Sequence, residues 1–241
     1  SLNLYNICPK DIVNNYYIYT MGNVTYSGAG HTKPTGMAEK KLFVNTMIAA
    51  YTASVKAPSM TFLNSNGTSV DSVYMMYDRA NKIVLQQESD VNVDFKANDY
   101  NILSSIPEIR IEFYKACQDG DEGAVSIAGI TGKVKPVSGF KVTRASDGTA
   151  VTAQTADNVQ YYVVASDAVY HLSLPLSETG MFNISGTGND KEYTLKGTGT
   201  NAVEPAGIYA KVTTYYDNGN KKTESTIVKL SVSVADLFDL N

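Results

Sequence analysis

The chain has 241 residues, with 20 Lys+Arg against 24 Asp+Glu, a formal net charge of -4 and a pI near 5.2. No basic stripe offsets that acidic balance, so nucleic acid is excluded as an expected partner. Apolar residues make up 43% of the chain, enough for a sizeable core, yet no run approaches the ~18 a membrane span requires, and membrane insertion is not expected.

Taken in order, residues 1-15 read as irregular, with Pro9 and Asn14-Asn15 marking loop. Tyr16 to Thr20 is β-branched and aromatic and predicts a short strand. Gly22-Asn23 suits a two-residue hairpin turn with glycine first, and Val24 to Ser27 forms the returning strand. Gly28-Ala29-Gly30 permits a sharp bend, since glycine reaches positive φ at little cost. From Met37 the period changes: Phe43, Val44, Met47, Ile48 and Tyr51 recur at helical spacing, and Glu39 suits the first turn of a helix over 37-54. That face is expected to pack the helix onto its neighbours.

Ala57-Pro58 ends the helical pattern, and a two-residue period takes over. Val91, Val93, Phe95 and Ala97 alternate with polar neighbours, as do Ile109, Ile111 and Phe113 with Arg110, Glu112 and Tyr114. These predict half-buried strands of an antiparallel sheet. Further strands are expected at 73-78, 125-130, 139-143, 159-165, 169-174, 181-185, 192-196, 208-216 and 223-235. Such short, regular spacing marks a mainly β chain, an immunoglobulin-like antiparallel β-sandwich preceded by a β-hairpin and one α-helix. One sandwich over 57-241 is favoured over two smaller ones splitting near 134.

The last hairpin allows a sharper expectation. A two-residue loop within Asp217-Asn218-Gly219-Asn220 would place Lys229 opposite Ile208. A three-residue loop places Leu230 opposite Ile208 and Val228 opposite Ala210. A one-residue slip exchanges the two faces of a strand, so burial selects the second register. Gly219 or Asn220 is then expected at positive φ.

Gly22, Val24, Tyr26, Gly28, Gly30 and His31 fit a GxVxYxGxGH strand, and the run from Lys41 to Tyr51 follows as a helix. This stretch resembles the closing hairpin and helix of glutamine-amidotransferase-like and trehalose-utilisation-like α/β domains. The whole arrangement resembles a family of large cell-surface or secreted proteins of Gram-positive anaerobes, known as a domain of unknown function, in which an α/β portion precedes an immunoglobulin-like region. The closing Asp236-Leu237-Phe238-Asp239-Leu240 fits its C-terminal pattern. The resemblance implies that residues 1-56 are the C-terminal remnant of a larger α/β domain. The start at Ser1-Leu2, with no Lys/Arg-led apolar segment, reads as a cut-down or processed product.

Candidate chemistry is sparse. His31 follows a glycine bend at a strand end, where α/β proteins place ligand-binding groups. Backbone hydrogen bonding at the bend is its plainer role. Gly28-Ala29-Gly30 lacks the helix start that a phosphate cradle needs, because Thr32 to Gly36 intervenes. Asp71, Asp78, Asp90, Asp94 and Asp99 are oxygen donors of the type calcium takes, without a recognisable calcium loop. His171 alternates with Tyr170 and Leu172 and is expected at the surface. Cys8 and Cys117 are expected as two free thiols, with no histidine beside either in sequence and no metal-type spacing. Tyr161-Tyr162 and Tyr215-Tyr216 are candidate sugar-stacking rings, although Trp is absent and alternation buries one tyrosine of each adjacent pair.

The sequence therefore predicts a non-catalytic structural or adhesive module of a cell-surface or secreted protein, extracellular, without cofactor or metal. Ligand contact is expected from His31, Tyr161, Tyr162 and Tyr215, toward a cell-surface glycan or a protein. The alternatives are a carbohydrate-binding module that targets an attached catalytic region, and a fragment of an amidotransferase-like or hydrolase-like enzyme.

Overall fold

The computed structural model describes residues 18-21, 24-27, 36-52, 56-85, 90-101, 107-196, 206-216, 219 and 221-236. The chain divides into two compact units, Ser1–Lys56 with Tyr100–Ser104, and Ala57–Asp99 with Ser105–Asn241. The fold is mainly β and sandwich-like, with one α-helix among the described residues.

In the first unit, β1 (Ile18–Met21) pairs antiparallel with β2 (Val24–Ser27), and α1 spans Met37–Thr52. The Gly22-Asn23 turn and His31 lie outside the described residues. The helix stands where its periodicity puts it, but the apolar side chains described on it are not packed away. Phe43 is 53% exposed, Met47 58% and Ile48 44%, which corrects the expectation of a buried face. In sequence, apolar residues are not confined to one side of this segment, so the pattern does not single out one buried face. Two four-residue strands also offer little surface to cover it.

The second unit begins with β3 (Ser59–Leu63), β4 (Ser69–Val70), β5 (Ser72–Asp78), β6 (Ile83–Val84), β7 (Asp90–Asn98) and β8 (Glu108–Cys117). It continues with β9 (Lys133–Pro136), β10 (Lys141–Arg144), β11 (Gln154–Ala156), β12 (Val159–Val164) and β13 (Val169–Pro175). The last strands are β14 (Phe182–Ser185), β15 (Glu192–Leu195), β16 (Ala206–Tyr216), β17 (Lys221–Lys222) and β18 (Thr226–Asp236). A five-stranded sheet runs β10-β13-β7-β3-β4. A nine-stranded sheet runs β11-β12-β8-β16-β18-β5-β6, with β9 beside β8 and β17 beside β16. Strands before and after residue 134 pair with one another, β7 with β13 and β8 with both β12 and β16. Pairing is antiparallel except between β18 and β5, which are parallel. No helix among the described residues is long and apolar enough to cross a membrane.

Alternation decides which face each strand buries. Val91, Val93, Phe95 and Ala97 of β7 and Ile109, Ile111 and Phe113 of β8 are buried, while their neighbours are half-exposed except Tyr114, which is covered on the outer face. Between the sheets the rings form a continuous seam. Tyr170 stacks on Phe95 at 5.6 Å, Phe95 meets Phe113 at 6.5 Å, Phe113 meets Phe140 at 4.9 Å, and Phe140 meets Tyr162 at 5.1 Å. Offset and edge-on contacts of this kind each add about 0.5–1.5 kcal/mol beyond area burial.

The β16–β18 hairpin holds two registers. Away from the turn, Ile208 faces Leu230 and Ala210 faces Val228, as the buried face demands. At the turn, Tyr216 faces Lys221 and Tyr215 faces Lys222, one residue out of step and in the register that the two-residue loop would give, which corrects the three-residue expectation at that end. Thr214 and Thr223 keep the turn register through two hydrogen bonds. The extra residue is absorbed where Glu224 and Ser225 both oppose Thr213, whose hydroxyl lies 2.6 Å from that of Ser225. This is a β-bulge that reconciles the turn's register with the core's. Gly219 sits at φ +91.

The strand expected at 125-130 is not formed. Val125 makes a lone bridge to Val134, and Gly129 at φ +89 turns the chain, with a Cβ there meeting the Ile227 side chain at 3.2 Å. A left-handed residue interrupts the extended run that the apolar spacing suggested.

Truncating the seam at its centre, Phe113→Ala, is expected to cost about 3–5 kcal/mol in urea unfolding. Tyr74→Ala, at a ring 63% exposed on β5, should stay within about 0.5 kcal/mol of the parent.

Candidate functional site

The polar faces of β8, β12 and β16 build the most organised surface cluster. Register places Arg110 opposite Val163 on one side and Thr213 on the other, and Glu112 between Tyr161 and Lys211. The same alternation that buries Ile109, Ile111 and Phe113 therefore lines up Glu108, Arg110, Glu112 and Tyr114 on the outer face. The Arg110 guanidinium lies over two rings, 4.0 Å from the Tyr215 centroid and 4.9 Å from that of Tyr161. Such contacts contribute about 0.5–2 kcal/mol, more as they are desolvated. Arg110 Nη2 donates to Glu108 Oε2 at 3.0 Å, while its buried Nε has no hydrogen-bond partner.

Beside it, Glu112 Oε2 accepts from Lys211 Nζ at 2.8 Å and from the Tyr114 hydroxyl at 2.6 Å. Burial, reinforced by the hydrogen bond to Glu112 and its charge, pushes the Tyr114 phenol far above the ordinary tyrosine range. The Tyr161 hydroxyl donates to Gln154 on the adjacent edge strand at 2.8 Å. The cluster is a cross-strand lattice in which each charge has an opposite partner.

The outer face of the five-stranded sheet carries a second network. His171 faces Asp94 across the β13–β7 ladder, with Nδ1 2.9 Å from Asp94 Oδ1 and Nε2 3.2 Å from Asn92 Oδ1. Ser173 lies two residues along, but its hydroxyl donates to Asp90 Oδ2 at 2.5 Å and not to the imidazole. Serine, histidine and aspartate thus share a face without the hydroxyl-to-imidazole bond that activates a nucleophile. The other aspartates are dispersed. Asp78 accepts from Asn81, Asp99 accepts from the Tyr216 hydroxyl, and Asp71 is bonded to Ser72. Among the described residues, no group of three or more His, Cys, Asp or Glu is arranged to hold a metal ion.

Of the ligand residues expected from sequence, Tyr161 and Tyr215 are brought together by Arg110, but only Tyr215 is half-exposed; Tyr161, on the outer side of its strand, is covered to 8% exposure, which corrects its expected role as a ligand-contacting ring. Tyr162 is directed inward: it is 4% exposed, its hydroxyl donates to the Phe140 carbonyl at 2.7 Å, and burial pushes its phenol up. It offers no surface to a ligand, because the alternation that turns Tyr161 outward turns Tyr162 into the core. His31 lies outside the described residues, as does Cys8. Cys117 is half-buried, and burial together with Asp121 pushes its thiol up, opposite to what an activated thiolate requires. Arg110, Glu112 and Lys211 were not singled out for function in the sequence, although the first two stand on the polar side of the β8 alternation.

No family model matches the chain, and no curated protein matches it. Among solved structures, one that is similar is described as AvmM, which catalyses macrocyclization in alchivemycin A biosynthesis. It shares 10% identity over 74% of this chain and 89% of that chain, with a TM-score of 0.27. A likeness of that size carries no argument about this chain's fold or chemistry.

The raised Tyr114 phenol predicts a specific pH response. An unfolded tyrosine ionises near pH ~10, whereas the folded one keeps its proton to higher pH, so its contribution is complete below ~10 and is lost as pH climbs toward the folded value. Thermal unfolding of the parent should therefore weaken steeply above pH ~10, and Tyr114→Phe should flatten that alkaline slope. At neutral pH the same variant should lose about 1 kcal/mol through the missing hydrogen bond.

Proposed function

We propose that this chain is a non-catalytic module of a cell-surface or secreted protein, a β-sandwich that serves as a structural or adhesive unit. The observation that carries this reading is the outer face of the nine-stranded sheet, where the half-exposed Arg110 and Tyr215 stand beside the buried Tyr161 ring and are stiffened by Glu108, Glu112 and Lys211. Aromatic rings and arginine are the residue types that dominate protein contact surfaces, and a pre-organised patch loses little entropy on binding. The neighbouring polar groups are committed to one another, with no hydroxyl or thiol set against a free base. The resemblance of the chain as a whole to a family of cell-surface or secreted proteins points the same way.

A second reading is favoured by the half-exposed Tyr215 ring: a carbohydrate-binding module, targeting an attached catalytic region, in which Tyr215 stacks a sugar and Arg110 supplies donors. The enzyme-fragment alternative rests on the stretch around His31 and gains no support from the described residues.

Displaying the full chain on beads against a panel of immobilised extracellular proteins and a glycan array tests both readings. Saturable retention on a protein, at least tenfold weaker for Tyr215→Ala and Arg110→Gln with unfolding midpoints preserved, is the expected result. Retention on glycans alone would move the assignment to the second reading. Turnover of an ester, amide or glycan by the purified chain would overturn both.

A further inference from the structure

A cleft of about 660 Å³ is lined by Pro107, Arg144, Asp147, Val151, Val164 and Tyr170, and its walls belong wholly to the second unit. That is within the usual size of small-molecule sites, which combine apolar walls with a few convergent polar groups. Val151, Val164 and Pro107 supply apolar wall, and Arg144, Asp147 and Tyr170 supply the polar groups on which recognition depends.

Arg144 is out of place by the rules of its own strand. In β10, Val142 is buried and Thr143 pairs with His171 on the outer face, so alternation puts Arg144 on the inward side. Its ladder partner is Tyr170, which is buried and stacked on Phe95. An arginine in a core-facing register normally has a carboxylate opposite it. Here the guanidinium makes no ion pair or hydrogen bond among the described residues and stands exposed at the mouth of the cleft.

Tyr170 adds an unused donor. Its hydroxyl accepts the Ala165 N–H at 2.9 Å, and its own hydrogen has no acceptor among the described residues. A buried phenol usually finds such an acceptor. Asp147 also lines the cleft, but it is engaged by its own turn, accepting the Thr149 N–H at 2.9 Å. The Thr149 hydrogen bonds, with the Arg144 charge adding to them, hold its carboxyl below the usual range, so it stays an acceptor for that turn.

The geometry points to a ligand site for a small monocarboxylate with an apolar tail, its carboxylate on Arg144 and the Tyr170 hydroxyl and its tail against Val151 and Val164. Both free groups are donors with no acceptor, one of them cationic, and both meet an apolar wall. An acidic apolar molecule supplies what each lacks, through charge-assisted hydrogen bonds. This site is separate from the Arg110 row, so the two assignments stand or fall independently.

The test is an NMR titration of the full ¹⁵N-labelled chain with octanoate, with octan-1-ol and octylamine as neutral and cationic counterparts. Octanoate should shift the amides of Val151, Ala165 and their neighbours saturably, and more tightly than either counterpart. Arg144→Gln should weaken octanoate about tenfold or more while leaving octan-1-ol unchanged, and Arg144→Lys should restore much of the loss. Tyr170→Phe, which keeps the ring against Phe95, should weaken octanoate by about five- to tenfold. Thermal midpoints of the variants check that the fold is retained. Shifts mapping elsewhere, equal octanoate affinity in Arg144→Gln, tighter binding of octylamine than octanoate, or no saturable shift in the millimolar range would each overturn the proposal.

Discussion

The contact between Phe95 and Phe113 is the constraint on which the sandwich depends. Phe95 sits midway along β7, which is flanked by β13 and β3 in the five-stranded sheet. Phe113 lies on β8, flanked by β12 and β16 in the nine-stranded sheet. Tyr170 extends the seam on one side, and Phe140 with Tyr162 extends it on the other. Full burial of each phenylalanine contributes about 1.5–3 kcal/mol, so the seam accounts for a substantial part of what joins two otherwise half-polar sheets. Because faces alternate, fixing the seam also fixes the surfaces. Asp94 and Lys96 flank Phe95, and Glu112 and Tyr114 flank Phe113, so both outer networks are held by the residue beneath them.

That coupling explains why much of the fold was legible in the sequence. A strand with one buried face must alternate, and β7 and β8 do so along most of their length. The far register of the β16–β18 hairpin followed from the demand that Ile208, Ala210, Val228 and Leu230 share one face. What escaped were features in which local and global preferences part. The turn keeps its own register, and only a bulge at Glu224-Ser225 makes both compatible. The two-residue strands β4, β6 and β17 are too short for any period to show. Residues 125-130 have strand-like apolar residues, but a left-handed glycine breaks the run. The helix shows the opposite limit: periodicity located it, yet a stripe of apolar residues does not name the surface that will cover it.

The candidate site was half legible for the same reason. Alternation told Tyr161 from Tyr162 in principle, but not that Arg110 and the edge strand would cover even the outward ring, leaving it 8% exposed. Nothing in the local sequence says that Tyr161 and Tyr215, 54 positions apart, would meet around one arginine from a third strand. Cross-strand neighbours are a property of register, and register is fixed by the core. The two outer surfaces and the cleft also differ in electrostatic completeness. Around Arg110 and His171, polar groups are paired along and across the strands, which favours a rigid contact surface over acid–base chemistry. At the cleft mouth, the Arg144 guanidinium and the Tyr170 hydrogen have no hydrogen-bond acceptor among the described residues, the condition under which a small molecule adds the missing partner.

Residue-resolved hydrogen exchange across a denaturant series tests this account most directly, since it measures whether the two sheets open as one body. If the Phe95–Phe113 seam unites them, the amides of Val93 and Phe95 in β7 and of Ile111 and Phe113 in β8 will exchange with one common free energy, equal to that of global unfolding. A lower free energy and a separate denaturant dependence for the five-stranded sheet would show the sheets parting independently, and would contradict the account.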